Sequence, residues 1–214
     1  MSKILLVTSS PRGEASLSTK VAAELAEKLQ AAQAGSTIVT RDLVSAPLPH
    51  IAQDYSTGIY LPAEDRSAAQ AEVVGVSDIA VDELLAADHV ILATGLINFS
   101  ISSTLKSWID HVARRGRTFI YGASGPVGLV SGKKVYIVLA SGGVYSEGPA
   151  SVLDFAVPYL KGVLGFIGLT DVEVIRVEGV GGGEDAVKAA LAKASAQIDA
   201  LAAKAGKTPD TIAA

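Results

Sequence analysis

The sequence contains no cysteine and only three histidines among its 214 residues. Disulfides, thiolate catalysis and cysteine-ligated zinc or iron–sulfur sites are therefore excluded. The three histidines, His50, His89 and His111, lack the mutual spacing of metal ligands, so we assign none of them to a metal or to catalysis. We accordingly expect no metal site in this protein.

Long apolar runs and a strong net charge are also missing. No apolar stretch approaches the ~18 residues that a transmembrane helix needs, and the N-terminus enters a strand pattern without the layout of a signal peptide. The 18 basic and 22 acidic residues leave a net charge of −4, which gives no reason to expect nucleic acid or an anionic membrane as partner. We therefore expect a cytoplasmic protein that binds neither.

Apolar residues make up 49% of the chain, and they fall into strand patterns that alternate with helix patterns. Five main strands are predicted, at residues 4–7, 37–40, 89–93, 134–140 and 171–177. This alternation predicts one α/β domain over residues 1–214, with a doubly wound parallel sheet in the strand order 2-1-3-4-5. Residues 41–65 are predicted to form a long ordered loop, and residues 117–132 a small hairpin beside the core.

The connection between the first strand and the first helix is rich in hydroxyl groups. Six hydroxyl-bearing residues lie there: Thr8, Ser9, Ser10, Ser16, Ser18 and Thr19. Free N–H groups and the positive end of the helix dipole bind an anion well at such a helix start, and Arg12 can add charge. The pattern favours a phosphate site, although a Ser16 or Ser18 that merely caps the helix is the alternative.

Three loops are expected to meet where the strand order reverses, at the carboxyl ends of the strands. They are residues 9–19, 94–99 and 140–143. Two known nucleotide motifs do not fit, because the glycine-rich residues 179–184 follow the last strand and end in Glu184, and residues 125–134 lack the P-loop spacing. The remaining fit is a mononucleotide whose phosphate binds the first loop and whose flat group lies against the other two.

Segments along nearly the whole chain resemble the FMN-dependent NADH-azoreductases, which belong to the flavodoxin-like NAD(P)H:quinone reductases. The segments that carry this resemblance are residues 9–10, 16–18, 98–102, 105–110, 116–119, 125–126, 128–129, 132–134, 142–143 and 164–171. The resemblance implies a flavodoxin-like fold and an enzyme that passes a hydride from NADH or NADPH, through non-covalently bound FMN, to quinones and azo compounds in a ping-pong cycle. Because FMN carries this chemistry, no catalytic side chain is expected.

The resemblance places the FMN phosphate at Ser10 and residues 16–18, and the flavin ring against residues 96–99 and 140–143. The expected cofactor-binding residues are Ser10, Arg12, Ser16, Leu17, Ser18, Leu96, Ile97, Asn98, Phe99, Ala140, Ser141, Gly142 and Gly143. Glycines allow the backbone N–H groups to approach the polar edge of the ring closely. A flavodoxin-type electron carrier without a small-molecule acceptor, or a domain that has lost its flavin, are the alternatives.

The loop after the third strand departs from the Pro-Met-Tyr-Asn-Phe usual in the family, because this chain has Gly95-Leu96-Ile97-Asn98-Phe99. Gly95 lacks the fixed φ of proline, so a looser loop is expected. Ile97 lacks the aromatic ring of the family's tyrosine. We expect altered placement of the flavin ring and an altered substrate preference, while contacts made by the backbone persist.

Aromatic and apolar residues in the second half of the chain suggest how a substrate and a second copy bind. Four aromatic residues, Phe99, Phe119, Tyr121 and Phe166, are expected to form an apolar slot over the flavin for a flat acceptor, with an ordinary place in the core as the alternative for each. Residues 149–167 read as one helix that is apolar around most of its circumference, which predicts an outward apolar face, for instance at Leu160.

An outward apolar face predicts two-fold association, unless residues 55–61 cover it within one chain. The family resemblance also implies a homodimer in which the acceptor sites are completed across the interface. Phe166 is the candidate for the residue that crosses.

Overall fold

The computed structural model describes residues 2–206, and seven strands lie within them. The strands are β1 (Lys3–Thr8), β2 (Thr37–Asp42), β3 (His89–Gly95), β4 (Phe119–Gly122), β5 (Gly125–Gly128), β6 (Lys134–Ala140) and β7 (Val172–Val177). Five of them form a parallel sheet in the order β2-β1-β3-β6-β7, which confirms the predicted order of the main strands. The predicted hairpin is confirmed as well, because β4 and β5 pair antiparallel.

Six α-helices lie in this same part of the chain. They are α1 (Leu17–Ala32), α2 (Gln53–Gly58), α3 (Ala68–Ala86), α4 (Ser103–Val112), α5 (Ala156–Ile167) and α6 (Glu184–Ala205). Serine side chains cap three of them, since Ser16, Ser67 and Ser102 each accept a hydrogen bond from a backbone N–H of the first turn.

Alternate residues of the central strands belong to two separate apolar clusters. Leu5 and Val7 of β1 belong to the cluster that also contains buried residues of α3, α4 and α5. Ile4 and Leu6 belong to the cluster that contains buried residues of α1 and α6. Because both sets of strand side chains are buried, these strands read as unbroken apolar runs in the sequence.

The segment between β2 and α3 was predicted as a long ordered loop, and the structure shows that it contains the short helix α2. Tyr55 of this helix is 3% exposed. Its hydroxyl lies 3.3 Å from Ser77 Oγ, and its ring meets the His111 ring edge-on at 4.8 Å. The segment is thus tied to α3 and α4 and not, as the alternative above supposed, laid over α5.

The helix predicted over residues 149–167 is interrupted. Residues Pro149–Leu153 form a 3₁₀ turn, and α5 begins only at Ala156, where the carboxylate of Asp154 accepts from the N–H groups of Ala156 and Val157. Leu160 is fully buried, so the prediction that it faces outward is wrong. The exposed apolar side chains precede the helix instead, with Val152 74% and Phe155 56% exposed.

A buried histidine fixes the segment before α2. His111 is fully buried, its Nε2–H donates to the Pro49 carbonyl at 2.8 Å, and its Nδ1 has no hydrogen-bond partner among residues 2–206. Burial lowers the pKa of His111 below its usual 6.5, against a smaller opposing effect of the hydrogen bond to Pro49. The native state therefore favours the neutral form of this ring.

We expect the free energy of unfolding to decrease as the pH falls below the usual histidine pKa of 6.5, because only the unfolded chain then protonates His111. One proton gives a slope of at most about 1.4 kcal/mol per pH unit. Urea unfolding between pH 5 and 7.5 measures it. His111→Gln, whose amide can also donate to Pro49, should flatten the slope, and an unchanged slope would assign it to His89, whose pKa burial also lowers.

Candidate cofactor site at the carboxyl ends of the strands

Hydrogen bonds between backbone groups bring the three predicted loops together. Ser9 N–H donates to the Ala93 carbonyl at 3.1 Å, which joins the end of β1 to β3. Leu96 N–H donates to the Ala140 carbonyl at 2.8 Å, which joins the end of β3 to β6. The first, second and third loops, residues 9–16, 96–102 and 141–155, therefore start from adjacent strands at one edge of the sheet.

Most hydroxyl groups of the first loop already have partners within the chain. Thr8 donates to Asp42, Ser9 donates to the Ala93 carbonyl, Ser16 accepts from Thr19 N–H, and Ser18 pairs with Ser16. The capping alternative is thus correct for Ser16. Because four of the six hydroxyls are hydrogen-bonded within the chain, their number alone does not indicate a phosphate site.

The start of α1 nevertheless keeps what an anion requires. The N–H groups of Leu17 and Ser18 donate to no residue of the described chain. They lie in the first turn of a helix of 16 residues, at the positive end of its dipole. Ser10 lies half-buried beside this start, and its Oγ accepts only a long bond of 3.4 Å from Arg12 N–H. Arg12 is exposed, so its guanidinium is free to reach an anion bound there.

The second loop contains a strained tight turn. Asn98 has φ 47° and Phe99 has φ 70°, and the turn is closed by hydrogen bonds of 2.8 and 3.0 Å between the backbones of Ile97 and Ser100. Two successive positive φ values are typical of a type I′ turn, which asparagine tolerates and phenylalanine does not. Strain of this kind persists where the surrounding structure enforces it, and it clusters at functional sites.

The looser loop that Gly95 was expected to cause is not seen. Gly95 is the last residue of β3 and pairs with Ala140, and its φ is not positive. The following turn is fixed at both ends. Leu96 N–H donates to the Ala140 carbonyl at 2.8 Å before it, and the Phe99 carbonyl accepts from Phe155 N–H at 3.0 Å. The rings of Phe99 and Tyr145 also meet edge-on at 6.3 Å, which links the second loop to the third.

The third loop leaves two backbone N–H groups free. The carbonyls of Gly142 and Gly143 accept from Gly181 and Gly179 N–H at 2.9 and 3.0 Å. The N–H groups of Gly142 and Gly143, in contrast, donate to nothing between residues 2 and 206. A Cβ on Gly142 would meet no atom within 4 Å, whereas a Cβ on Gly143 would lie 3.1 Å from the Tyr145 ring. The loop therefore presents two unpaired amides, with open space beside Gly142 and the Tyr145 ring beside Gly143.

Sequence reasoning missed the carboxylate that fastens this third loop. Glu178 follows β7, and its Oε2 accepts from Tyr145 N–H at 3.0 Å and Ser146 N–H at 3.1 Å, while its Oε1 accepts from the Ser146 hydroxyl. Burial by itself raises the pKa of Glu178, but these hydrogen bonds outweigh it, and the pKa of the carboxyl is lowered. The glycine run after Glu178 indicated a turn, but nothing in the sequence indicated which loop it holds.

The structure brings three of the four aromatic residues of the predicted slot together at the far end of α5 from these loops, whereas Phe99 lies in the second loop. The Phe119 ring lies 4.6 Å from Phe166 and 5.7 Å from Tyr121. Phe166 belongs to the last turn of α5, and α5 starts at the carboxyl edge and runs about 18 Å to the opposite edge. The cluster therefore does not reach the cofactor loops of its own chain.

The described residues also form a cleft at the opposite end of the sheet, away from the three loops. A cleft of about 1030 Å³ lies at the amino ends of the strands, lined among others by His89, Lys134 and Asp171, and it contains none of the predicted site residues. Within residues 2–206, no group of three or more acidic or histidine side chains is arranged to hold a metal ion. No helix in this same range is both long and apolar enough to cross a membrane.

Comparisons with known proteins agree on one group of relatives. The family model of the flavodoxin-like fold matches residues 2–202. A Mesorhizobium japonicum protein named FMN-dependent NADH:quinone oxidoreductase is 70% identical over 94% of this chain and 95% of its own. An Agrobacterium fabrum protein of the same name is 58% identical over 94% and 98%. The crystal structure of an azoreductase from Bacillus anthracis has a TM-score of 0.85 and 33% identity, and covers 97% of this chain and 100% of that one.

Proposed function

This chain belongs to the FMN-dependent NADH:quinone oxidoreductases, a family with the flavodoxin-like fold, and we infer that it transfers a hydride from NADH through bound FMN to a quinone or an azo compound. The observation that supports this most is the pair of unpaired amides at Gly142 and Gly143, in a loop that the Phe99–Tyr145 ring contact links to the strained turn. The two apolar clusters support the doubly wound arrangement that such a site needs.

The loops fit FMN in the following way. The free N–H groups of Leu17 and Ser18, with Ser10, Ser16 and Arg12, would hold the phosphate. The turn at residues 96–99 and the loop at residues 140–143 would hold the ring, with the Gly142 and Gly143 amides on its polar edge. Neither loop needs a special side chain for this, because the donors belong to the backbone. The replacement of the family's Tyr by Ile97 is therefore compatible with the site.

Bound FMN supplies the redox chemistry, accepting a hydride at its ring and releasing it to the acceptor. The residues of this chain bind and orient that ring. The strained turn would present Asn98 to the ring, and both of its ends are fixed by hydrogen bonds. NADH or NADPH and the acceptor would occupy the same exposed face in turn, which gives ping-pong kinetics. An enzyme that consumes NADH works where NADH is regenerated, so we propose a cytoplasmic location.

We also propose a homodimer. An exposed apolar surface, here called the apolar rim, borders the ring site and consists of Phe99, Val144, Val152, Leu153 and Phe155, which are 37–74% exposed. Exposed patches of this kind usually mark interfaces. The cluster of Phe119, Tyr121 and Phe166 is too far from the loops of its own chain, so it would reach an acceptor only from a second copy. Both observations support acceptor sites that are completed across a two-fold interface.

Purified protein is expected to bind FMN in preference to FAD, and Ser10→Ala, which removes a side-chain hydroxyl that would contact the phosphate, is expected to weaken FMN binding. A hydrogen bond to a charged group contributes about 1.5–3 kcal/mol, which corresponds to roughly 10- to 150-fold in the dissociation constant. Fluorescence titration with FMN measures this, and Ser18→Ala, which keeps the backbone N–H at the phosphate, should have a smaller effect. Ser124→Ala, on the exposed tip of the hairpin, is the matched control and should bind FMN like the wild type.

Steady-state kinetics then separate the proposed enzyme from an electron carrier. The proposal expects NADH oxidation with benzoquinone as the only acceptor, and parallel lines in double-reciprocal plots at several quinone concentrations. A protein that binds FMN but shows no such turnover would be a carrier. A wild type that does not bind FMN at all would overturn the proposed function.

A further inference from the structure

The loop after β6 is held from behind by the residues that follow β7. Three successive carbonyls, those of Ser141, Gly142 and Gly143, accept from the N–H groups of Val180, Gly181 and Gly179 at 3.3, 2.9 and 3.0 Å. A peptide group whose carbonyl is fixed on one side has its N–H fixed toward the other. These bonds therefore decide where the free N–H groups of the loop point.

Glu178 fixes the far end of the same loop. Its carboxylate accepts three hydrogen bonds, two from backbone N–H groups of Tyr145 and Ser146 and one from the Ser146 hydroxyl. A carboxylate that accepts several N–H bonds is a stronger anchor than a neutral acceptor. The loop is thus held at residues 141–143 by the glycine turn, residues 179–183, and at residues 145–146 by Glu178. The unpaired amides of Gly142 and Gly143 lie in the first of these two segments, and Glu178 fixes the chain directly after it.

The glycine turn has no room to adjust. A Cβ on Gly181 would lie 3.0 Å from the Gly142 carbonyl oxygen, and Gly179 has φ +75°. A side chain at Gly181 would therefore push against the group that the turn holds. This gives the glycine-rich residues 179–183 a role although they form no nucleotide fingerprint.

We infer that Glu178 is a positioning residue which, together with the glycine turn, aims the Gly142 and Gly143 amides at the polar edge of bound FMN and thereby raises its reduction potential. This inference rests on the proposed FMN binding. Reduction makes that edge more electron-rich, so correctly aimed N–H donors bind the reduced ring more tightly than the oxidised ring. The ratio of the dissociation constants for oxidised and reduced FMN sets the shift in the reduction potential on binding.

Redox titration of the FMN-loaded protein tests this, with FMN dissociation constants measured beside it. Glu178→Ala should weaken binding of oxidised FMN only about threefold and of reduced FMN about 30-fold, and the tenfold difference corresponds to a potential about 30 mV lower for a two-electron couple. Glu178→Gln keeps an oxygen for the Tyr145 and Ser146 N–H groups and should stay close to the wild-type potential. Glu147→Ala removes the same charge from an exposed site of the same loop and serves as control.

The Gln variant separates positioning from charge. If the negative charge of Glu178 governed the potential, both Glu178→Ala and Glu178→Gln would raise it, because a nearby anion disfavours reduction; that result would overturn the inference. Gly181→Ala disturbs the same loop without altering any charge and should lower the potential. If Glu178→Ala does not fold, Ser146→Ala, which removes one of the three donors, carries the test with a smaller decrease.

The outcomes also separate this inference from the proposed function. A wild type that binds FMN, with potentials and affinities unchanged in Glu178→Ala and Gly181→Ala, would remove the role of Glu178 and leave the function standing. A wild type that binds no FMN would remove both.

Discussion

Leu160→Glu is expected to prevent folding of the chain, although from the sequence alone it would be chosen as a surface substitution. Leu160 is fully buried in the apolar cluster that contains residues of α3, α4 and α5. A carboxylate there loses its hydration without gaining a partner, and the leucine packing is lost as well. Together these costs exceed about 4 kcal/mol, which is a large fraction of the ~5–15 kcal/mol that stabilises a domain.

Circular dichroism and the soluble yield of the purified variant measure this. Lys161→Glu, one position along the same helix and exposed, is the matched control, because it places the same carboxylate in water. The control should unfold with nearly the wild-type midpoint. A soluble Leu160→Glu protein with a cooperative transition within about 1 kcal/mol of the wild type would contradict the burial described here.

The main strands could be predicted because their physical signal is local, and their order follows from the doubly wound arrangement that five such strands favour. A strand such as β6, buried on both faces, reads as an unbroken apolar run, and the helices between the strands require parallel pairing. The face of α5 could not be predicted in the same way. Its helix is apolar on nearly all sides, so the sequence does not indicate that the start moves to Ala156 or that Leu160 points inward.

The candidate site could likewise be predicted only in part. The loops that meet at the carboxyl edge follow from the strand order alone, and the glycines at residues 142 and 143 could be placed there from the sequence. The partners of those glycines could not, because Gly179 and Gly181 reach them from the segment after β7 and no local pattern links the two segments. The same holds for Phe99, whose positive φ comes from the bonds that fix its turn, not from its own preference.

Assembly is the other property for which a large effect is expected, and the apolar rim is where it can be tested. Phe155 is 56% exposed and is tied to the strained turn through its N–H bond to the Phe99 carbonyl, so a second copy seated on the rim would also cover the ring site. In a two-fold dimer, each substitution is present in both chains of the interface, so its cost applies twice. Val152→Asp or Phe155→Asp should therefore cost about 1.4 kcal/mol per copy and weaken the dimer at least about 100-fold.

Light scattering after size exclusion, across a dilution series, measures this equilibrium for the wild type and both variants. Ile79→Asp is the matched control, since Ile79 is also 56% exposed but lies on α3, outside the rim. We expect the control to remain dimeric and both rim variants to become monomeric, with quinone reduction lost in parallel because Phe166 and its neighbours then no longer reach the acceptor. A wild-type monomer at micromolar concentration with full activity would show that one chain completes its own site, and dimeric rim variants would place the interface elsewhere on the surface.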